Sequence, residues 1–260
     1  MITPIRQEGY ELLHKGAIAL AQVEANGIRI DLPLLASTKA RLEKEIRSLS
    51  EELQEDKVWK IWRREYGSKA KLTSYRQLAE ILYRKLNFQV TSQTESGQDS
   101  ANDEALQKID HPFVQKISRF YRYNKALGTF LSGIEREIAP DGRLHPSFSL
   151  HTARSMRSSS SEPNFQNFPV RDKEIAEIIR SLFIASSPKS VLVENDFKGI
   201  EVALSASYHK DPNFISYINT PGKDMHRDMA AQIYLLDPKE VSKDARYGAK
   251  NKFVFPQFYG

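Results

Sequence analysis

The chain has 260 residues, 40% hydrophobic and 27% charged, which fits one large or two small globular domains with a sizeable core. A formal net charge of +5 is compatible with a polyanionic partner without requiring one. The lack of cysteine excludes disulfides, thiolate metal sites and cysteine nucleophiles and points to an intracellular setting, and the sequence has neither a membrane-length apolar run nor an apolar signal stretch.

Tyr10 to Asn26 reads as an amphipathic helix stopped by Asn26 and Gly27, and Ile28, Arg29 and Ile30 then alternate as a short strand. Asp31 and Pro33 restart a helix. From Leu34 to about Leu53 apolar residues recur at helical spacing between charges, predicting a long exposed helix that projects from its root. Next comes a basic stretch, Lys57, Lys60, Arg63, Arg64, Lys69, Lys71, Arg76, Arg84 and Lys85 against only Glu65 and Glu80, with Trp59, Trp62, Tyr66, Tyr75 and Tyr83 interleaved. Nucleic acid suits such a surface; so does the plainer reading of a solvated basic face whose aromatics are core.

Thr73 or Ser74 can cap a helix through about Leu86, and the polar TSQTESGQDSAND segment after it reads as a mobile loop. His111-Pro112 opens another helix, whose Phe113, Ile117, Phe120, Tyr121, Leu127, Leu131 and Ile134 supply an apolar face to roughly Ile138. Pro140, Asp141 and Gly142 end it in a turn, and Arg143 to Leu150 alternates as a strand. The organisation thus changes near residue 140 from helical projections to a mixed α/β (α+β) body. Val191, Leu192 and Val193 read as a buried strand that delivers Asp196 at its exposed tip, where an open sheet places chemistry. Arg246 and Lys250 stand at i and i+4, donors suited to an anion or to a solvated face. His226-Arg227-Asp228 matches a kinase catalytic-loop tripeptide, but a Gly-rich phosphate loop and a later DFG are missing, which discards that reading.

Several of these stretches, in order, resemble family A DNA polymerases, the bacterial polymerase I and phage replicative group. Arg157 to Pro169, RSSSSEPNFQNFP, is similar to the family's GRLSSSDPNLQNIP, with Met156 and Ser158 in place of Gly and Leu. Asp196 to Val202, DFKGIEV, resembles motif A, with Lys198 and Gly199 where Ser and Gln are common; Asp224-Met225-His226 resembles the DIH of the following helix, and Arg246 to Gly260 resembles motif B, which ends in YG. GIRID at Gly27 to Asp31 and HPFVQKI at His111 to Ile117 fit the approach to a thumb and the thumb itself. The resemblance implies a helical thumb with long projecting helices, plus the first part of a palm sheet and the fingers helices of a right-hand polymerase. On that division 1–33 is the approach to the thumb, 34–140 the thumb, 141–210 the first palm segment with motif A, and 211–260 the first fingers helices with motif B.

It also implies roles. Asp196 is one bridging carboxylate for two Mg²⁺ ions roughly 3.5 to 4 Å apart, the Phe197 backbone carbonyl completing the shell. Glu201 restricts the sugar 2′ face. His226, Arg246 and Lys250 hold the triphosphate, Lys250 with a catalytic part, and Phe255 and Tyr259 complete the deoxynucleotide set. In motif B the segment KNKFVFPQFYG is one residue longer than the common pattern, and Pro256 disfavours helical geometry at Phe255, so a bulge or kink is expected; the phosphate lysine is Lys250 by one count and Lys252 by another. Asn164, Gln166 and Asn167 have donors suited to the minor-groove edge, where every base pair offers acceptors. Arg157 lies near the primer end, Lys125 and Thr129 touch the duplex backbone, and Arg171 joins them as a DNA-binding residue.

The expected reaction is DNA-templated addition of deoxynucleotides to primer-template DNA in a bacterial or phage-infected cytoplasm, at the nucleoid. The family's motif C, with the second metal carboxylate, belongs beyond Gly260, so the expectation is either the N-terminal portion of a split polymerase, completed in fingers and palm by a second polypeptide and served by a separate exonuclease, or an artificially shortened polymerase; no membrane is expected. The competing reading is a non-catalytic DNA-binding or assembly subunit; a polymerase copying RNA is a distant third.

Overall fold

The computed structural model describes residues 6–94, 96–153, 157–170, 172–197 and 199–259, apart from the side chains of Arg6, Phe258 and Tyr259. Two compact units divide the chain, Met1–Leu192 and Val193–Gly260, the division falling inside the segment read above as 141–210. Among the described residues no helix is long and apolar enough to cross a membrane.

In the first unit, helix α1 (Arg6–Asn26) stops at the predicted place because Gly27 adopts φ +55° and turns the chain into β1 (Ile28–Ile30). A side chain is unwelcome there for two reasons. Positive φ crowds any Cβ, and one built on Gly27 lies 2.7 Å from the Leu144 carbonyl oxygen and from the His145 ring. Gly27→Ala is therefore expected to destabilise this unit by about 1–3 kcal/mol in urea unfolding; a cost under ~0.5 kcal/mol would show that the approach is not tight. The amphipathic reading of α1 needs correction, since Tyr10, Leu12, Leu13, Ile18 and Val23 are all exposed. What α1 packs against, β3 (Ser147–Ser149) and its neighbours, covers one narrow stripe of it.

Strand β1 is the centre of a three-stranded antiparallel sheet, with β2 (Arg143–Leu144) on one side and β5 (Phe183–Ile184) on the other. Arg143 to Leu150 does not run as one strand. His145 and Pro146 separate β2 from β3, Pro146 having no N–H for a ladder, and β3 pairs instead with β4 (Ser159–Ser161), Phe148 opposite Ser160.

Helix α2 (Leu32–Glu55) starts as predicted: the Asp31 side chain accepts from the Leu34 N–H at 2.9 Å and Pro33 occupies the first turn. Its 24 residues span about 36 Å, enough to serve two cores. Leu35 and Leu42 are buried with Ile30, Leu131, Ile134 and Leu144, whereas Leu53 is buried with Val58, Trp62, Leu78, Phe113 and Ile117. Ile46 and Leu49 touch both clusters.

The second cluster holds α3 (Lys57–Tyr66), α4 (Tyr75–Glu80) and α5 (Asp103–Leu106) together. Ser74 caps α4, accepting from the Gln77 N–H at 3.3 Å, and the helix runs on as a π-helical turn, Ile81–Lys85. The TSQTESGQDSAND segment, expected to be a loose loop, folds back on itself: Ser100 N–H bonds to Ser92 O at 3.0 Å, Thr94 N–H to Gln98 O at 2.8 Å, and Tyr83 Oη to Ser100 O at 2.8 Å. Backbone pairing and one tyrosine anchor supply what apolar residues do not. Helix α6 (Pro112–Lys125), capped by His111, joins α7 (Ser132–Glu137) through a second π-helical turn, Ala126–Leu131, where the Ser132 N–H bonds to Leu127 O. Helix α8 (Lys173–Arg180) is capped by Asp172, whose carboxylate also pairs with Arg122 of α6 at 2.9 Å.

Val191 to Val193 do not form the predicted buried strand. They lie in an irregular segment, 80%, 56% and 82% exposed in order. An apolar run becomes a strand only when neighbours take its hydrogen bonds, and the described residues offer none to this one.

The second unit is helical: α9 (Ile200–His209), α10 (Pro212–Asn219), α11 (Met225–Tyr234), α12 (Lys243–Ala249), a π-helical turn at Lys250–Val254, and α13 (Phe255–Tyr259). Gly199, at the position where motif A commonly has Gln, precedes α9 at φ +63°, ψ +37°, a left-handed conformation that explains glycine there.

Candidate active site

One cleft of about 620 Å³ gathers most of the predicted chemistry of the second unit. Asp196 and Phe197 enter it from the segment before α9, Glu201 and Val202 from the first turn of α9, Lys223 to His226 from the start of α11, and Arg246 and Lys250 from α12 and the turn beyond it. Sequence positions more than fifty apart thus converge because α9, α11 and α12 each present their first or last turn to the same space.

The cations are held differently. Arg246 makes a two-pronged pair with Asp224, Nε to Oδ2 at 2.9 Å and Nη2 to Oδ1 at 3.2 Å. Burial works against ionisation of Asp224, but the hydrogen bond from Arg246 and those from the Arg227 and His226 N–H groups outweigh it and hold the carboxyl below its ordinary range. His226 moves the other way: burial, then the nearby charges of Arg246 and Lys250, lower its proton affinity, with Asp224 and Glu201 opposing. It is therefore a neutral imidazole at pH 7, and its Nδ1 is buried with no hydrogen-bond partner. The imidazole meets Phe255 edge-on, centroids 5.8 Å apart, and Lys250 Nζ lies 4.9 Å from the centroid of the same ring.

That last contact depends on the extra residue in motif B. In an α-helix residues five apart point about 140° away from each other. Lys250 begins a π-helical turn closed by the Phe255 N–H on Lys250 O, which absorbs one residue and brings the two side chains to one side. The predicted bulge is this turn, but Phe255 is not pushed out of helical geometry as expected: at φ −64°, ψ −43° it opens α13, and Pro256 sits in that helix's first turn, where no N–H is needed. Lys250 lines the cleft, and Lys252 is exposed and is not among the residues that line it. Tyr259 has its backbone in α13, and its side chain is outside the description.

A magnesium site was expected at Asp196 and the Phe197 carbonyl. Both are on the cleft and both offer hard oxygens, the donor chemistry that Mg²⁺ prefers. Among the described residues no group of three His, Asp or Glu side chains is placed to enclose an ion. The residues present fit part of a magnesium shell, leaving further ligands to substrate, water and other protein groups.

The residues expected to meet DNA lie in the first unit. Lys125 ends α6 and Thr129 sits in the π-helical turn after it, both exposed. Arg157 and Gln166 share a shallow depression with Ser158 and Ser159. Asn164 caps a 3₁₀ turn, its Oδ1 accepting from the Gln166 N–H at 3.0 Å and from Ser160 Oγ at 3.2 Å, so its Nδ2 donors remain for a ligand. Gln166 donates through Nε2 to Ser158 O at 2.6 Å, and Asn167 is exposed. Arg171 lies outside the described residues. Sequence reasoning singled out neither Asp224 nor Lys223 as a site residue; an Asp at a helix start reads as a cap, and its pairing with an arginine 22 positions on leaves no periodic trace.

Comparison with known proteins accords with this arrangement. A family model described as DNA polymerase family A matches residues 35–260. A thermostable DNA polymerase I of Thermus filiformis is 34% identical over 235 residues, covering 89% of this chain and 27% of that protein. DNA polymerase I of Mycobacterium tuberculosis H37Rv is 30% identical over 235 residues, 89% of this chain and 25% of the relative. Among solved structures, the POL domain of Pol1 from M. smegmatis, in complex with DNA primer-template and dNTP, superposes with a TM-score of 0.70 at 29% identity, over 90% of this chain and 40% of that one. The chain therefore spans about a quarter of the length of the curated relatives it matches. With motif A, the DIH segment and motif B meeting at one cleft, the chain belongs to DNA polymerase family A.

Proposed function

We propose that these residues form the thumb, at 34–140, and the first palm and fingers segments, at 141–210 and 211–260, of a DNA-directed DNA polymerase that extends a primer on a DNA template. Residues 1–33 lead into the thumb. The observation that carries the reading is the cleft where Asp196, Glu201, His226, Arg246 and Lys250 converge. In the reaction the primer 3′ oxygen bonds to the α-phosphorus of a deoxynucleoside triphosphate, the bond to the bridging oxygen breaks, pyrophosphate leaves, and the hydroxyl proton passes to water.

Arg246 and Lys250 bind the triphosphate as fixed donors, neutral His226 donates a hydrogen bond to it, and Phe255 backs the nucleotide. Glu201 restricts the sugar 2′ face. Asp196 and the Phe197 carbonyl hold magnesium, which when bound stabilises negative charge on the triphosphate and favours ionisation of the 3′-hydroxyl. Asn164, Gln166, Asn167, Arg157 and Arg171, with Lys125 and Thr129, hold primer-template DNA. The exposed Val191 to Val193 run supports completion of the palm by further strands, which would carry the second carboxylate.

A fluorescent deoxynucleoside triphosphate titrated into the chain with magnesium tests this reading. Saturable binding is expected, about tenfold weaker in Lys250→Ala and unchanged in Lys243→Ala, an exposed control on α12. Equal binding of triphosphate and unphosphorylated nucleoside would overturn it.

A further inference from the structure

We infer that Asp224 is a positioning residue that aims the Arg246 guanidinium into the cleft while fixing the helix turn that carries His226. The inference rests on the reading of this cleft as a triphosphate site.

Asp224 is the residue before α11, and a cap needs only one acceptor oxygen. Oδ1 supplies it, accepting from the His226 N–H at 3.0 Å and the Arg227 N–H at 3.2 Å. Oδ2 is not required for that task, yet Arg246 of α12 donates to it through Nε at 2.9 Å and reaches back to Oδ1 through Nη2 at 3.2 Å. The two prongs fix both the position and the plane of the guanidinium. Arg246 keeps 43% of its side-chain surface exposed, against 26% for Asp224, and both line the cleft. Three of the five guanidinium N–H donors, two on Nη1 and one on Nη2, lie outside the pair and are left for a ligand.

The neighbourhood is rigid enough for this to matter. A Cβ on Gly248, two residues beyond Arg246, would lie 2.9 Å from Tyr234 Oη of α11, so α11 and α12 meet closely beside the pair. Arg227, next to His226, donates to Gly222 O at 3.0 Å and to Asp228 at 2.9 Å, bracing the loop that leads into Asp224. One carboxylate thus sets the direction of two triphosphate ligands.

A negative charge beside an anion site is costly unless it does something, and this gives the test its sign. Asp224→Asn keeps the cap acceptor but replaces the Oδ2 acceptor with an amide N–H₂ that cannot pair with Arg246. If Asp224 only adds negative charge, the substitution tightens triphosphate binding. If it positions Arg246, binding of a fluorescent deoxynucleoside triphosphate weakens by about tenfold despite the lost charge, and the Arg246 Nε–H resonance moves upfield. The same substitution in an Arg246→Ala background is then expected to change affinity by less than about twofold, because the effect passes through Arg246. Thermal unfolding of Asp224→Asn stays near that of the parent, whereas Asp224→Ala, which also loses the cap, melts lower.

Tighter or unchanged binding in Asp224→Asn while Arg246→Ala binds weakly would overturn the inference and leave the reading of the cleft intact. Should Arg246→Ala itself bind the triphosphate as the parent does, the triphosphate reading fails and the inference with it.

Discussion

Asp196→Ala abolishes magnesium-dependent primer extension by the assembled enzyme, a loss of at least about a hundredfold, while binding of primer-template DNA stays within about twofold. The measurement is made on tagged chain recovered from its native extract with whatever completes it, the parent and the variant side by side. The expectation follows from placement. Asp196 and Phe197 are at the edge of the cleft that holds Arg246 and Lys250, and the candidate DNA-binding residues belong to the other compact unit. A carboxylate as exposed as that of Asp196 contributes little to folding, so its removal acts on chemistry. Activity undiminished in Asp196→Ala would sink the catalytic assignment. No extension from parent material, with DNA still bound, would favour the non-catalytic DNA-binding reading.

Much of this was legible from short local signals, and the misses share one cause. Asp31, Ser74 and His111 each mark a helix start, and each caps one, because a cap is a contact between residues two or three apart. Gly27 ends α1 for a similarly local reason. The motif B bulge was visible as a one-residue surplus, and the π-helical turn that absorbs it keeps Lys250 and Phe255 on one side. Val191 to Val193 failed as a strand because a strand is a property of its neighbours, and apolar composition does not say whether neighbours are at hand. The polar segment after Leu86 is a loop as read, and its backbone hydrogen bonds were not legible because composition records side chains only. The Asp224–Arg246 pair escaped because Asp224 stood only as the first residue of the DIH segment and Arg246 only as a phosphate donor, 22 positions apart. Only the fold brings them together.

The largest expected effect on stability is at Trp62, where alanine should cost the first unit about 3–5 kcal/mol in urea or thermal unfolding. The indole is wholly buried among Leu53, Val58, Leu78, Ile81 and Phe113. Its N–H donates to Gln77 Oε1 at 2.9 Å, and that oxygen also accepts from the Lys71 N–H at 3.0 Å while Gln77 Nε2 donates to Lys69 O at 3.0 Å. Gln77 thereby closes the loop between α3 and α4, with the tryptophan as the wall behind it. Alanine removes the wall and one of the three bonds together. Phenylalanine keeps most of the volume and drops only the N–H, so Trp62→Phe should cost about 1–2 kcal/mol, and the ratio of the two separates packing from hydrogen bonding. Trp59, whose ring centroid lies 5.4 Å from that of Trp62, remains as the single tryptophan in both variants and reports the same transition. The consequence reaches function, because Lys57, Lys60, Arg63 and Arg64 are all exposed on α3, and Val58 and Trp62 fix which way that basic face is turned. Trp62→Ala should accordingly weaken duplex DNA binding and flatten its salt dependence. If the variant unfolds like the parent, α3 is not packed as described. If stability falls by the full amount and DNA binding at low temperature does not change, the basic face is a solvated surface, the plainer of the two readings that its sequence allowed.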